Sequence, residues 1–307
     1  MNSVPHAGFA RSFLGLPAPA KINLFLHVTG RRADGYHELQ SVFVPIDLAD
    51  LVDVRLRGDS QIERRGDLTG PEHEDLAVRA ARALQAAEPR AAGLGAQICV
   101  EKRIPVGAGL GGGSSDAATT LIALNRLWNL GLDRARLAMI GAGLGADIPF
   151  FLGQGPAFVE GVGERCTPLA TPPAWYLVIY PQVHVSTAEI FIDTKLTRNT
   201  KQTTIAGFSA AVSAAGLGAR FATGLAKFGT NDLEPVVRRR FEQVDAALRL
   251  LAKEAPARMS GSGSAVFCVT ASREQAQAIL ERVQGGLREG WKAWIVAGMA
   301  TLPLAEW

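Results

Sequence analysis

Cysteine and histidine are scarce in this 307-residue chain, and neither is patterned. The three cysteines, Cys99, Cys166 and Cys268, are odd in number and far apart. No Cys-x-x-Cys occurs, and the five histidines form no His-x-x-x-His or His-Glu-x-x-His. A disulfide framework and a structural zinc are therefore not expected, and buried thiols in a reducing compartment are. No run of 18 apolar residues is present, so no membrane span is expected. An excess of one charge is lacking too: 32 basic residues against 29 acidic leave a net charge of +3. Neither a nucleic-acid-binding face nor a membrane partner is expected from that balance, and an anionic ligand would be met at a local site. The segment Ser12–Ala20 ends in a small-residue Ala18-Pro19-Ala20. Its apolar stretch before Pro17 falls short of the roughly 7–15 residues of a signal peptide, so a cytoplasmic protein is expected.

What is present is 48% hydrophobic residues and 33 glycines. A chain of this length buries a substantial core, on the order of 75% of its unfolded surface. After a loose start over residues 1–18, Ile22–Val28 alternates as a strand, and Ser41–Ile46, Leu51–Leu56 and Gln97–Lys102 read as further strands. Helical spacing marks Asp75–Ala87, the segment after Gly113, and Asp133–Ala142. Beyond residue 155 come strands at Ala157–Glu160 and Trp175–Tyr180, and a weakly patterned stretch over 194–220. A long helix opens at Asn231 with Glu234 as a capping box and continues through Val237, Phe241, Val244, Leu248 and Leu251. Its Arg238-Arg239-Arg240 reads as a solvated face. A strand at Ala265–Val269, a helix at Arg273–Val283 and a strand at Trp291–Val296 close the chain. The mixture predicts an α+β fold in two lobes, 1–155 and 156–307, with the last strand free to return to the first lobe.

The densest chemistry lies at Pro105-Val106-Gly107-Ala108-Gly109-Leu110-Gly111-Gly112-Gly113-Ser114-Ser115. Glycines let a backbone approach a ligand closely, and the helix that starts at once aims its free N–H groups back into the loop, a combination that binds phosphate. No Gly-Lys-Ser/Thr closes it, so it is not a Walker loop. Gly107, Gly109 and Gly112 satisfy Gly-x-Gly-x-x-Gly, but no strand ending in an acid follows about 20 residues on, which counts against a dinucleotide fold. A structural turn is the remaining alternative. A second loop, Ser260-Gly261-Ser262-Gly263, reads either as a hairpin turn or as a cover over the same phosphates. Lys21 and Asn23 share one side of the first strand, where a lysine is either solvated or set to balance a polyphosphate. Asp147, inside Gly145-Ala146-Asp147-Ile148-Pro149, reads equally as a helix cap, a loop anchor or a base.

Pro19–Leu24, Pro105–Asp116 and Ser260–Gly263 together resemble the GHMP kinases, the family of galactokinase, homoserine kinase and mevalonate kinase. Within it, Thr29–Leu39, Gly145–Phe151 and Glu160–Glu164 are similar to the members that phosphorylate the 2-hydroxyl of 4-diphosphocytidyl-2-C-methyl-D-erythritol in the methylerythritol phosphate route to isoprenoids. The likeness runs from about residue 17 to about residue 300. It implies an N-terminal lobe of the ribosomal protein S5 domain 2 type and a ferredoxin-like C-terminal lobe, with ATP and Mg²⁺ as cofactors. It also implies a small-molecule substrate bearing a cytidine diphosphate, and a monomer or homodimer. Carried over residue by residue, it makes Asp147 the base and gives Lys21 an orienting and polarising role. Pro105–Ser115 would hold the triphosphate, with Gly261, Ser262 and Gly263 beside it. Lys102, Asp75 and Leu76 would lie near the adenine, although family members often carry Asn-Leu where this chain has Asp75-Leu76. Tyr36 and Phe191 would sandwich the cytosine, His37 would read its edge, and Asn23 would touch the methylerythritol. Magnesium would be carried by ATP, with Ser115 as a candidate ligand. Other GHMP kinases, acting on mevalonate, homoserine or a sugar, are the alternative, followed by a non-catalytic nucleotide-binding module.

Overall fold

The computed structural model describes residues 11–67, 70–215, 221, 224, 225 and 227–307; part of the stretch read as a loose start, residues 1–10, lies outside them. Two long strands, β1 (Ser12–Arg31) and β2 (His37–Arg57), form an antiparallel hairpin that carries most of the first sheet. The hairpin is bent, with register shifts near Phe13–Leu16, Pro19–Ala20, Asn23–Leu26 and Val28–Gly30. Residues 12–18, read from sequence as loose, are thus the first part of a strand. Pro17 and Pro19 are tolerated in β1 because that part of the strand pairs with β2 alone and has no second ladder to supply.

The lower half of β2 pairs with β4 (Gly95–Glu101), which runs parallel to β3 (Ile62–Gly66). The upper half pairs with β5 (Ala157–Gly161), followed by β6 (Arg165–Pro168). Helices α1 (Leu76–Ala87), α2 (Gly112–Leu127), α3 (Arg134–Ala142) and α4 (Ile148–Phe151) close one core against this sheet. Asp75 and Asp133 cap α1 and α3 with their carboxylates, as their place before an apolar repeat suggests.

The second sheet has the order β10-β7-β9-β8, from β7 (Trp175–Tyr180), β8 (Ala257–Met259), β9 (Val266–Thr270) and β10 (Lys292–Ala297). Numbered within the lobe, that is 4-1-3-2, the strand order of a ferredoxin-like β-α-β-β-α-β unit. Helices α5 (Thr187–Phe191), α6 (Ile205–Ala215), α7 (Glu234–Arg240), α8 (Glu242–Ala252) and α9 (Arg273–Val283) complete the lobe. No helix among the described residues is long and apolar enough to cross a membrane.

Three local expectations change. By pairing, β5 and β6 belong to the first sheet, so the chain passes between sheets after Pro168 rather than at 155. The last strand stays in the second sheet, and it is the tail beyond it that returns: Gly298 bridges to Ile46, and Leu302 and Leu304 enter the first core. The long helix expected from Asn231 is two helices, broken where Phe241 takes an extended backbone. Asn231 and Glu234 form no capping box: Glu234 Oε2 accepts from the amide of Met259, while Asn231 Nδ2 donates to the carbonyls of Met259 and Gly261 and its Oδ1 accepts from the amide of Leu233. Within the stretch read as weakly patterned, α6 is present.

The lobes are also tied by Arg258. Its guanidinium donates to the carbonyls of Leu24, Phe228 and Gly229 at 2.6–3.0 Å and to that of Leu225. Burial lowers its pKa to about 10, against the opposing pull of Glu234. Arg258→Met keeps the stem but strands these carbonyls, so urea unfolding should show a loss of about 2–4 kcal/mol.

Candidate active site

Along β1, Ile22 and Leu24 turn into the core shared with Tyr176, Val178 and Phe267 of the second sheet. The alternate residues, Lys21 and Asn23, turn into a cavity of about 1090 Å³ between the lobes. The Lys21 ammonium, almost wholly buried, donates to Asn23 Oδ1 at 2.6 Å. It lies 3.4 Å from Asp147 Oδ2 and 4.6 Å from the centre of the Phe43 ring. Asp147 precedes α4 but makes no capping hydrogen bond, so the helix-cap alternative is not realised; its carboxylate is directed to Lys21 and stays 30% exposed.

The first glycine loop is shaped by three left-handed residues, Gly107, Gly109 and Gly111, with φ of 67°, 74° and 74°. Its carbonyls are tied outward: that of Ala108 accepts from the amide of Ala265, that of Gly109 from the Ser260 hydroxyl, and that of Leu110 from the amide of Lys21. Among the described residues no amide from Gly107 to Gly113 donates to a protein acceptor. A row of unpaired N–H groups at the start of α2 is an anion cradle. The second glycine loop lies against the first, since a Cβ on Gly109 would sit 2.2 Å from the Ser260 carbonyl and one on Gly261 would sit 3.0 Å from the Gly109 carbonyl. It is the β8–β9 connection, as a hairpin turn would be, and it also lies beside the first loop.

The other expected residues divide. Pro105–Ser114, Lys102, Asp75, Leu76, Gly261 and Ser262 line the cavity, as do Tyr36, His37 and Phe191. Ser115 and Gly263 do not. Ser115 is fully buried on the inner face of α2 and its hydroxyl has no partner, so Ser114 supplies the hydroxyl that the cavity sees. Asp75 spends one oxygen on the amides of Ala77 and Val78 and the other on Arg64, which leaves Leu76 to form the apolar wall. Lys102 is held by Asp50 and Asp116. Burial works against its ammonium, but the two carboxylates outweigh it and keep its pKa above the usual lysine value. Burial also pushes the Asp116 carboxyl up, against Lys102 and with Asp50.

At the opposite end of the cavity Tyr36 stands 65% exposed on the β1–β2 turn, while His37 is buried. Phe191 lies against His37 itself, the rings 5.1 Å apart and 23° from parallel. The expected pairing of Tyr36 with Phe191 around a third ring is therefore not preformed. Burial lowers the His37 pKa, and Arg198 and Arg31 lower it further.

Four residues at the site escaped the sequence reading: Asp50, Asn231, Ser260 as a bridge between the loops, and Arg198. Asp50 carries a faint signal, an acid within the apolar alternation of a strand. It accepts from the amides of Arg103 and Ile104 as well as from Lys102, which fixes the entry to the first glycine loop.

The residues present suit a magnesium ion brought in by a nucleotide. Among the described residues no group of three or more His, Cys, Asp and Glu side chains is placed to hold a metal. Magnesium accepts one or two protein oxygens beside phosphate and water, and Ser114 and Asp147 offer that many.

Residues 75–155 match the model of the GHMP kinases N terminal domain, and residues 209–288 that of the GHMP kinases C terminal. The chain is 48% identical over 293 residues to the 4-diphosphocytidyl-2-C-methyl-D-erythritol kinase of Janthinobacterium sp. (strain Marseille), covering 94% of this chain and 96% of that protein. To the enzyme of the same name from Ralstonia nicotianae (strain ATCC BAA-1114 / GMI1000) it is 50% identical, covering 94% and 95%. A crystal structure of 4-(cytidine 5'-diphospho)-2C-methyl-D-erythritol kinase superposes with a TM-score of 0.72 at 34% identity, covering 94% of this chain and 99% of that one.

The contact between the loops yields a direct test. Gly109→Ala adds a Cβ at a left-handed position and into the Ser260 carbonyl. ATP affinity measured by calorimetry should fall at least about tenfold as the amide row is disturbed, while the far-UV circular dichroism keeps its native shape.

Proposed function

The chain belongs to the GHMP kinases, and from that premise we propose that it transfers the γ-phosphate of ATP to the tertiary 2-hydroxyl of 4-diphosphocytidyl-2-C-methyl-D-erythritol, giving the 2-phosphate and ADP in the methylerythritol phosphate route to isoprenoids. The observation that carries the reading is the Lys21–Asp147 pair, set in one cavity with the unpaired amides of a glycine loop and with the rings of Tyr36, His37 and Phe191. The Janthinobacterium and Ralstonia relatives, 48% and 50% identical over most of the chain, bear the name of this activity.

In the proposed reaction the loop amides from Gly107 to Gly113 and the start of α2 hold the triphosphate. Asp147 accepts the hydroxyl proton as the new P–O bond forms and the bond to the β-phosphate oxygen breaks, releasing ADP. Lys21 orients Asp147 and offsets charge on the transferring group. Phosphoryl transfer asks the protein mainly for in-line positioning and charge stabilisation, and an ammonium beside a fixed row of N–H groups supplies both. Magnesium, bound with ATP, would neutralise phosphate charge, with the cavity-lining Ser114 hydroxyl as a protein oxygen that would hold it. Asn23 holds Lys21 and closes the methylerythritol end, while Lys102, Asp75 and Leu76 border the adenine end. The reading assigns the enzyme to the cytoplasm, where ATP is plentiful.

Two experiments test the proposal. Purified protein with Mg·ATP should release ADP with the cytidine substrate and not with mevalonate or homoserine; turnover of either of the latter in its place rejects the substrate assignment. Asp147→Asn should lower kcat by about 10²–10⁴-fold with ATP affinity retained. A wild-type kcat in that variant removes Asp147 from the role of base.

A further inference from the structure

The connection from β7 to α5 belongs to the second lobe, yet it meets both glycine loops. The Ser264 hydroxyl donates to the carbonyl of Val183, and the hydroxyls of Ser262 and Thr187 lie 2.7 Å apart, so the connection is tied at two points to the second loop. Between those ties His184 reaches the first loop. Its ring fills the place that a Cβ on Gly107 would take, with Nδ1 1.9 Å and Cε1 2.5 Å from that position. His184 is exposed and does not line the cavity, so it supports the loop from outside.

Gly107 is the left-handed glycine of this loop that most needs such support. The three residues after it are tied through their carbonyls, Ala108 to Ala265, Gly109 to Ser260 and Leu110 to Lys21. The carbonyls of Val106 and Gly107 accept from no donor among the described residues, and the Val106 side chain is exposed. Glycine populates positive and negative φ about equally, so a glycine without a backbone tie is free to leave the left-handed region. Each departure re-aims an amide that the cavity otherwise finds unpaired. A ring standing on its Cα removes part of that freedom before an anion arrives, and donors ordered in advance bind more tightly than donors that must be ordered on binding.

We propose that His184 is a positioning residue, a latch from the second lobe that holds Gly107 in its left-handed conformation and so keeps the first amide of the anion cradle in place. The inference rests on the reading of this loop as the ATP site, and it makes the cradle a product of both lobes, since the loop comes from one and its latch from the other. The ring acts by shape. A flat side chain of similar breadth would serve, and no charge on the imidazole is required.

The test uses the full chain, with ATP affinity measured by calorimetry and steady-state kinetics beside it. His184→Ala should weaken ATP binding about two- to fivefold, the size of the freedom returned to one glycine, with KM for the cytidine substrate unchanged. His184→Phe should bind ATP as the wild type does. Gly107→Ala drives its methyl into the His184 ring, whereas in the His184→Ala background only the left-handed strain is left. The loss of ATP affinity in the double variant should therefore be smaller than the product of the two single losses. Wild-type ATP affinity in His184→Ala overturns the inference. A double variant whose loss equals that product overturns it too, as does a His184→Phe variant as weak as His184→Ala. Wild-type protein that does not bind ATP instead overturns the reading of the loop, and this inference with it.

Discussion

The hydrogen bond from the Ser260 hydroxyl to the carbonyl of Gly109 is the joint on which the cavity depends. Ser260 also accepts from the amide of Asn23, so one buried hydroxyl connects the first glycine loop, the second glycine loop and the strand that carries Lys21. Behind it, Asn231 and Glu234 hold the second loop from the far side. The loop carbonyls are thereby used up on protein partners, and the amides are what remains for a ligand. An anion site here arises from how the neighbouring backbone is satisfied, with glycine supplying the left-handed turns that make the division possible.

Charge is arranged with the same economy. Two lysines are buried at the site, and each is given a different partner set: Lys21 has one carboxylate and an amide oxygen, Lys102 has two carboxylates. A buried ammonium without such partners would shed its proton or draw water in. Lys102 is thus spent on holding Asp50 and Asp116 at the mouth of the first loop. Lys21 keeps attraction to spare for a further anion. The two lysines read alike in sequence, and only the neighbours decide that one supports the frame while the other faces the chemistry.

Much of this was legible before the fold was known. The glycine loop announced itself by composition, the Lys21 and Asn23 pair by strand alternation, and Asp75 and Asp133 by their places before helical repeats. Asp147 was visible as an acid in an apolar stretch, but its partner lies more than 100 residues away, and no local signal separates a cap from a base. The errors have the same origin. Asn231 with Glu234 satisfies the capping pattern, yet tertiary contacts claim the Asn231 amide nitrogen and the Glu234 carboxylate, and an apolar repeat that continues through Phe241 conceals a break made by the backbone. Residues 12–18 read as loose because they carry no clear period, and that part of the strand takes its place through pairing with β2, which no local pattern announces. Arg198 had no signal at all, since an arginine in a polar loop looks solvated until His37 and Phe191 are brought to it.

The hairpin of β1 and β2 bears Lys21 near its middle and Tyr36 and His37 at its tip. Ten residues separate Lys21 from Arg31, the partner of His37 in the ladder, a run of about 33 Å if straight and less with its bulges. The hairpin is therefore a ruler between the reacting end of the cavity and its pyrimidine end. Its graduations are strand residues, each also bound to a facing side, so the scale can be lengthened only in pairs, by about 6.6 Å at a time. A relative that accepts a longer or shorter molecule on this frame would have to change its bulges or its tip, because the ladder itself admits no smaller step.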